Sequence, residues 1–173
     1  PPPIEYVKVS GGLFLDMMIH DFDMARFVTG SEVVEVFARA AVRVDPAIGA
    51  AGDVDSAVAV LTHENGCITT IDNSRQAVYG YDQRVEAFGS GGMISSQNAP
   101  ANAAMRFDAD GGHLAPIAYF FLDRYTQSYV LQWDAFVAAV SEGKPPPVSG
   151  LDGRAPLVIG LAASLWAGMG VVI

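Results

Sequence analysis

The chain is 173 residues long, 51% apolar and 17% charged, with a net charge of −9. Those values exclude a disordered chain and suit a single domain, 1–173, with a real core. The acidic balance argues against nucleic acid, which needs a basic patch. One cysteine, Cys67, rules out an internal disulfide and, with no signal peptide, fits a reducing cytoplasm.

The opening, PPPIEYVKV, is no targeting segment and reads as a chain entered mid-protein. Over Ile4–Val9, Tyr6 and Lys8 alternate with Val7 and Val9, which predicts a strand. Ser10 is the expected N-cap of the next element, with Gly11 and Gly12 at its start. That element is a helix over Leu13–Val28, ending near Gly30 as C-cap. It is apolar nearly all round, the mark of a buried helix. Within it, Asp16, His20 and Asp23 stand at i, i+4 and i+7 and share one narrow face. Asp21 and Arg26 fall outside that stripe, free to reach solvent or each other.

The stripe admits three readings. It is a structural hydrogen-bond network; or a metal site, though with a single histidine; or an acid–base site, in which a carboxylate one turn away orients an imidazole that moves a proton. The third is preferred, and no metal is expected.

Val33–Val44 alternates, with Val34, Val36, Ala38, Ala40, Val42 and Val44 on a dry face and Glu35, Arg39 and Arg43 on a mixed one. Asp45–Gly52 is a loop. Val54–Thr62 and Cys67–Arg75 are strands joined through Asn65-Gly66, a strong hairpin signal. His63 beside that turn is expected at the surface. Tyr81–Phe88 and Met93–Ser96 are strands joined by Ser90-Gly91-Gly92. This glycine-rich turn is no dinucleotide fingerprint, because no helix follows it. Ala104–Ala109 is a further strand, and Asp110–His113 a loop with a solvated His113. Ile117–Ser141 is a long helix with Leu122, Tyr125, Tyr129, Trp133, Phe136 and Val140 as a core-facing stripe. Lys144-Pro145-Pro146-Pro147 breaks the chain. A last helix begins near Asp152 or Gly153, with Pro156 in its first turn. The uncharged stretch Leu157–Ile173 is short for a membrane span and reads as a buried helix followed by a short strand. Helices segregated from a run of strands imply an α+β fold, an open and mostly antiparallel sheet with helices on one face.

The segment SGGLFLDMMIHDFDMARF resembles the GG-x3-D-x3-HD-x-D segment of the glucose–fructose oxidoreductase/inositol dehydrogenase/MocA superfamily, nearest to its myo-inositol 2-dehydrogenases. DVDSAV, NSRQAVYGYDQRVEAFGSGGM and FFLDRY extend the resemblance over almost the whole chain. It implies the C-terminal, substrate-binding part of an NAD- or NADP-dependent oxidoreductase acting on a secondary alcohol of myo-inositol or a related cyclitol or sugar. The cofactor would be held mainly by an N-terminal Rossmann domain absent from this sequence, so the chain alone is expected to be inactive. It implies His20 as acid/base, Asp16 orienting it or pairing with a lysine of the absent domain, and Asp23, Tyr79 and Tyr81 as substrate contacts. Asp82 and Arg84 would pair structurally. It further implies a homo-oligomer, dimer or tetramer, formed through the mixed sheet face. Two other classes stay open, a polyol-binding module without redox chemistry and an assembly domain whose polar stripe is closed to solvent.

Overall fold

The computed structural model describes residues 1–168. In chain order it contains α1 (Ile4–Val7), α2 (Leu13–Asp16), α3 (Met18–Thr29), β1 (Val33–Ala41), α4 (Pro46–Ala50), β2 (Ser56–His63) and β3 (Ile68–Ser74). There follow β4 (Val85–Gly89), β5 (Gly92–Ser96), β6 (Met105–Asp108), β7 (Gly111–Leu114), α5 (Phe121–Ser141) and α6 (Gly150–Gly168). The chain divides into two compact units, Pro1–Gln76 with the segment from Val148 onward, and Ala77–Pro147. The class is α+β with antiparallel pairing, as expected, and the described residues form three small sheets.

The first unit is built on the antiparallel sheet β1-β2-β3. Alternation along β2 turns Ala57, Ala59, Leu61 and His63 inward. Ala38 pairs with Ala59 and Ala40 with Ala57, so small side chains pave the inner face. Against them pack Leu13, Phe14, Met18 and Phe22 from α2 and α3, and Ile159 and Ala163 from α6. Gly160 lets α6 approach closely, since a Cβ there would meet Leu15 Cδ2 at 2.7 Å and the Phe14 carbonyl at 3.2 Å. Gly160→Val is therefore expected to lower stability by about 1–3 kcal/mol through overpacking, measurable by urea unfolding. Gly30 caps α3 in the left-handed conformation, as the sequence suggests.

Several elements depart from the sequence reading. Ile4–Val7 is a helical turn, not a strand: Pro3 offers its carbonyl to the Tyr6 and Val7 amides, and Lys8 pairs with Glu5 at 2.8 Å. Ser10 is not the helix cap. The first amide of α2, Leu13 N, donates to Asp53 Oδ1 at 3.0 Å, a side chain 40 residues away. The expected Leu13–Val28 helix is broken at Met17 (φ −117°, ψ −61°), which separates Asp16 from His20 and Asp23. β1 stops at Ala41 because the next amides are drawn away: those of Arg43, Val44 and Asp45 all donate to the buried Asp55 carboxylate. A register shift between Val33 and Glu35 turns Val34 outward. The Asp45–Gly52 loop contains α4, capped by Asp45 with Pro46 in its first turn.

α6 begins earlier than expected. Ser149 and Asp152 form a reciprocal cap, the Ser149 amide and hydroxyl each donating to Asp152 Oδ2 at 2.7 Å and the Leu151 amide to Ser149 Oγ. Pro156 thus falls in the second turn, where it cannot donate to the Asp152 carbonyl. Arg26 Nη1 approaches that carbonyl instead, at 3.4 Å. No helix among the described residues is long and apolar enough to cross a membrane. The short strand expected at the end of the chain lies outside the described residues.

The second unit contains the hairpins β4-β5 and β6-β7 and the helix α5. Tyr81–Arg84 is not strand, because Asp82 gathers its neighbours' side chains as described below. Asp108-Ala109-Asp110-Gly111 closes a hairpin where a loop was expected, so His113 lies on β7, half-exposed and 3.1 Å from Asp108. Gly80 (φ 134°) has no room for a side chain, since a Cβ would sit 2.5 Å from Ile117 Cγ1. The stripe on α5 is not core among the described residues of this unit: Leu122, Tyr129, Trp133, Phe136 and Val140 are all exposed.

Candidate active site

Asp16 ends α2 and carries two anchors. Arg75 Nη1 donates to Oδ2 at 2.8 Å, and the Tyr6 hydroxyl donates to Oδ1. That bond, with the charge of Asp16 behind it, raises the Tyr6 pKa, so the hydroxyl stays a donor. Arg75 is the residue after β3. Its amide donates to the Asp55 carbonyl at 2.8 Å, and its side chain is 1% exposed. The second arm of its guanidinium donates to Asp53 Oδ2 at 2.9 Å. Asp53 in turn holds the first amide of α2. A continuous run of bonds thus joins Leu13 N, Asp53, Arg75, Asp16 and Tyr6.

His20 lies on α3 and is exposed; its amide donates to the Met17 carbonyl at 3.2 Å, and its imidazole makes no hydrogen bond among the described residues. Asp23, also exposed, pairs with Arg26 Nη1 at 3.0 Å. Arg26 binds Glu32 with its other nitrogens, at 2.8 and 2.6 Å, and Glu32 is lowered in pKa by that bond. Asp21 accepts from Asn73 Nδ2 at 2.9 Å. No direct hydrogen bond links Asp16, His20 and Asp23 to one another. His63 is not at the surface: it is 1% exposed, with Nδ1 3.1 Å from Thr29 Oγ1 and Nε2 2.9 Å from Thr69 Oγ1. It pins the end of α3 to the β2–β3 hairpin.

In the second unit the Tyr79 hydroxyl and Asn98 Nδ2 donate to Asp82, and two nitrogens of Arg84 each donate to it at 2.8 Å. The Arg84 guanidinium first, then Tyr79 and Asn98, hold the Asp82 carboxyl at about 2 against the opposing effect of burial. Donating this hydrogen bond to Asp82 also raises Tyr79 above the usual phenol value. The Tyr81 ring rests edge-on to Tyr125, centroids 5.9 Å apart, and its amide donates to the Ala118 carbonyl.

A model of the GFO/IDH/MocA C-terminal domain matches residues 2–95, just over half of the chain. The chain belongs to the GFO/IDH/MocA family. It is 53% identical over 163 residues to a myo-inositol 2-dehydrogenase of Thermotoga maritima, covering 94% of this chain and 49% of that protein. A crystal structure of a probable dehydrogenase from Thermotoga maritima superposes with a TM-score of 0.95 at 51% identity, over 98% of this chain and 51% of that one. A scyllo-inositol dehydrogenase from Lactobacillus casei, solved with NAD(H) and scyllo-inositol bound, gives 0.87 at 27% identity, over 96% of this chain and 49% of that one. This GFO/IDH/MocA domain spans about half the length of the curated relatives it matches.

The glycine-rich turn at Ser90-Gly91 leads from β4 into β5 and opens no helix. Nor do three His, Cys, Asp or Glu side chains converge on a metal position among the described residues. The sequence reading overlooked Tyr6, Asp53 and Arg75. Their signal was present: Asp53 and Arg75 are charged residues abutting apolar strands, inside the two segments DVDSAV and NSRQAV that carry the family resemblance.

Proposed function

We propose that this chain is the substrate-side half of an NAD- or NADP-dependent cyclitol or sugar dehydrogenase, oxidising a secondary alcohol of myo-inositol or a close relative. The observation that carries the reading is an exposed imidazole, His20, without a hydrogen bond to any described residue, four residues beyond a carboxylate, Asp16, held at both oxygens. Such a ring is available to a substrate hydroxyl, whereas one built for structure is paired, as His63 is. Identity of 53% to a myo-inositol 2-dehydrogenase supports the substrate class.

In this reading the bound nicotinamide supplies the hydride acceptor, and it is held mainly by a Rossmann domain outside this sequence. His20 takes the hydroxyl proton as the alcohol carbon is oxidised. Asp16 orients His20 or pairs with a lysine of the Rossmann domain. Asp23 accepts a hydrogen bond from a neighbouring hydroxyl. We assign the protein to the cytoplasm and to a homo-oligomer joined through the outer face of β1-β2-β3, where Phe37 and Val58 are exposed.

Steady-state assays of the full-length protein with myo-inositol, scyllo-inositol and glucose, each with NAD and NADP, test the reading. Turnover of a cyclitol is expected; cofactor binding without turnover of any polyol would refute it. Asp23→Asn is expected to raise KM by about 10-fold or more with a smaller change in kcat, because it weakens a charge-assisted hydrogen bond to bound substrate.

A further inference from the structure

We propose that Arg75 is a positioning residue for the reaction: its buried guanidinium bridges Asp16 and Asp53 and fixes the direction in which the Asp16 carboxylate faces its partners. The inference rests on the roles given to Asp16 and His20 above. Three observations lead to it. The helix that would hold Asp16 and His20 in register is interrupted at Met17, so a continuous helix does not set their relation. The side-chain tether replaces it: Arg75 takes Oδ2 and Tyr6 takes Oδ1, so rotation of the carboxylate breaks both bonds. The tether has a fixed base, because Asp53 binds both the other arm of Arg75 and the first amide of α2.

The chemistry of the bridge favours a geometric role over a stabilising one. A buried ion pair costs desolvation that its attraction often only repays, so two carboxylates on one buried cation are a poor device for stability alone. A planar guanidinium, unlike an ammonium, presents donors in a rigid fork that can satisfy two carboxylates in set directions. With the side chains of Arg75, Asp16 and Asp53 1%, 14% and 10% exposed, water does not loosen the arrangement. Each Asp16 oxygen keeps lone-pair capacity for a second donor, His20 or the lysine of the Rossmann domain.

The test uses the full-length protein, with Arg75→Lys, Arg75→Met and Asp16→Asn assayed side by side and kcat referred to active sites counted by cofactor binding. Arg75→Lys retains the charge but not the fork. It is expected to lower kcat by about tenfold with KM within about threefold of wild type, as a misplaced catalytic group does. Arg75→Met is expected to lose about 10²-fold, with Lys therefore a partial rescue. If Met does not fold, the Lys variant decides alone. Wild-type kcat per active site in Arg75→Lys, whatever its melting temperature, overturns the proposal. Loss of activity in Asp16→Asn beside wild-type kcat in Arg75→Lys refutes the role of Arg75 only. Wild-type kcat in Asp16→Asn refutes the role of Asp16 itself.

Discussion

His20→Gln in the full-length protein is expected to lower kcat by about 10²–10⁴-fold, the usual cost of removing a general base. The fold should be unaffected, because His20 is exposed and its side chain is hydrogen-bonded to no other described residue. Substitutions at such surface positions change stability by about 0.5 kcal/mol or less. Glutamine keeps a polar side chain of similar reach, so substrate binding should survive better than turnover. Steady-state kinetics with circular dichroism as the folding control separates the two. A variant with wild-type kcat would exclude His20 as the proton acceptor.

Asp55→Asn should have the largest effect on stability. Asp55 is fully buried, and its two oxygens accept from the amides of Arg43, Val44 and Asp45 and from Ser56 Oγ, at 2.7–3.0 Å. An amide in its place turns an N–H toward backbone N–H groups and leaves buried donors without acceptors. The expected loss is about 2–4 kcal/mol, read from the urea midpoint. Burial alone would raise the Asp55 pKa, but the hydrogen bonds from Asp45, Arg43 and Val44 outweigh it, and the folded-state value lies below the ordinary 3.8. The sign follows from linkage. A depressed carboxylate contributes stability that is full above its unfolded-state pKa and is lost as pH falls through the folded-state value. The gap between wild type and Asp55→Asn should therefore be full near neutrality and narrow below pH about 4.

Legibility in the sequence followed the range of the forces involved. The β2–β3 hairpin, the two-residue turn at Ser90-Gly91 and the Gly30 cap were readable because each is specified by adjacent residues and backbone conformation. The GG-x3-D-x3-HD-x-D pattern likewise announced the family. Elements fixed by distant side chains were not readable. Nothing local to Leu13 points to Asp53 as its cap, and nothing in Arg43-Val44-Asp45 shows that Asp55 will end the strand. A helical wheel carries Asp16, His20 and Asp23 on one face only while the helix is continuous, and the turn at Met17 removes that premise. His63 looked like a turn residue by position, yet its ring is pinned by Thr29 and Ser31 from one turn and Thr69 from another strand. The α5 stripe shows the reverse failure: its helical period was legible, but the period does not say whether the partner surface lies within this chain.

The central claim is that His20 meets the reacting hydroxyl. A crystal structure of the full-length protein with NADH and myo-inositol bound tests it most directly. The account predicts a ring nitrogen of His20 within about 3 Å of the hydroxyl on the carbon that faces the nicotinamide. An inositol bound productively against the nicotinamide with His20 turned away, and another side chain on that hydroxyl, would contradict it.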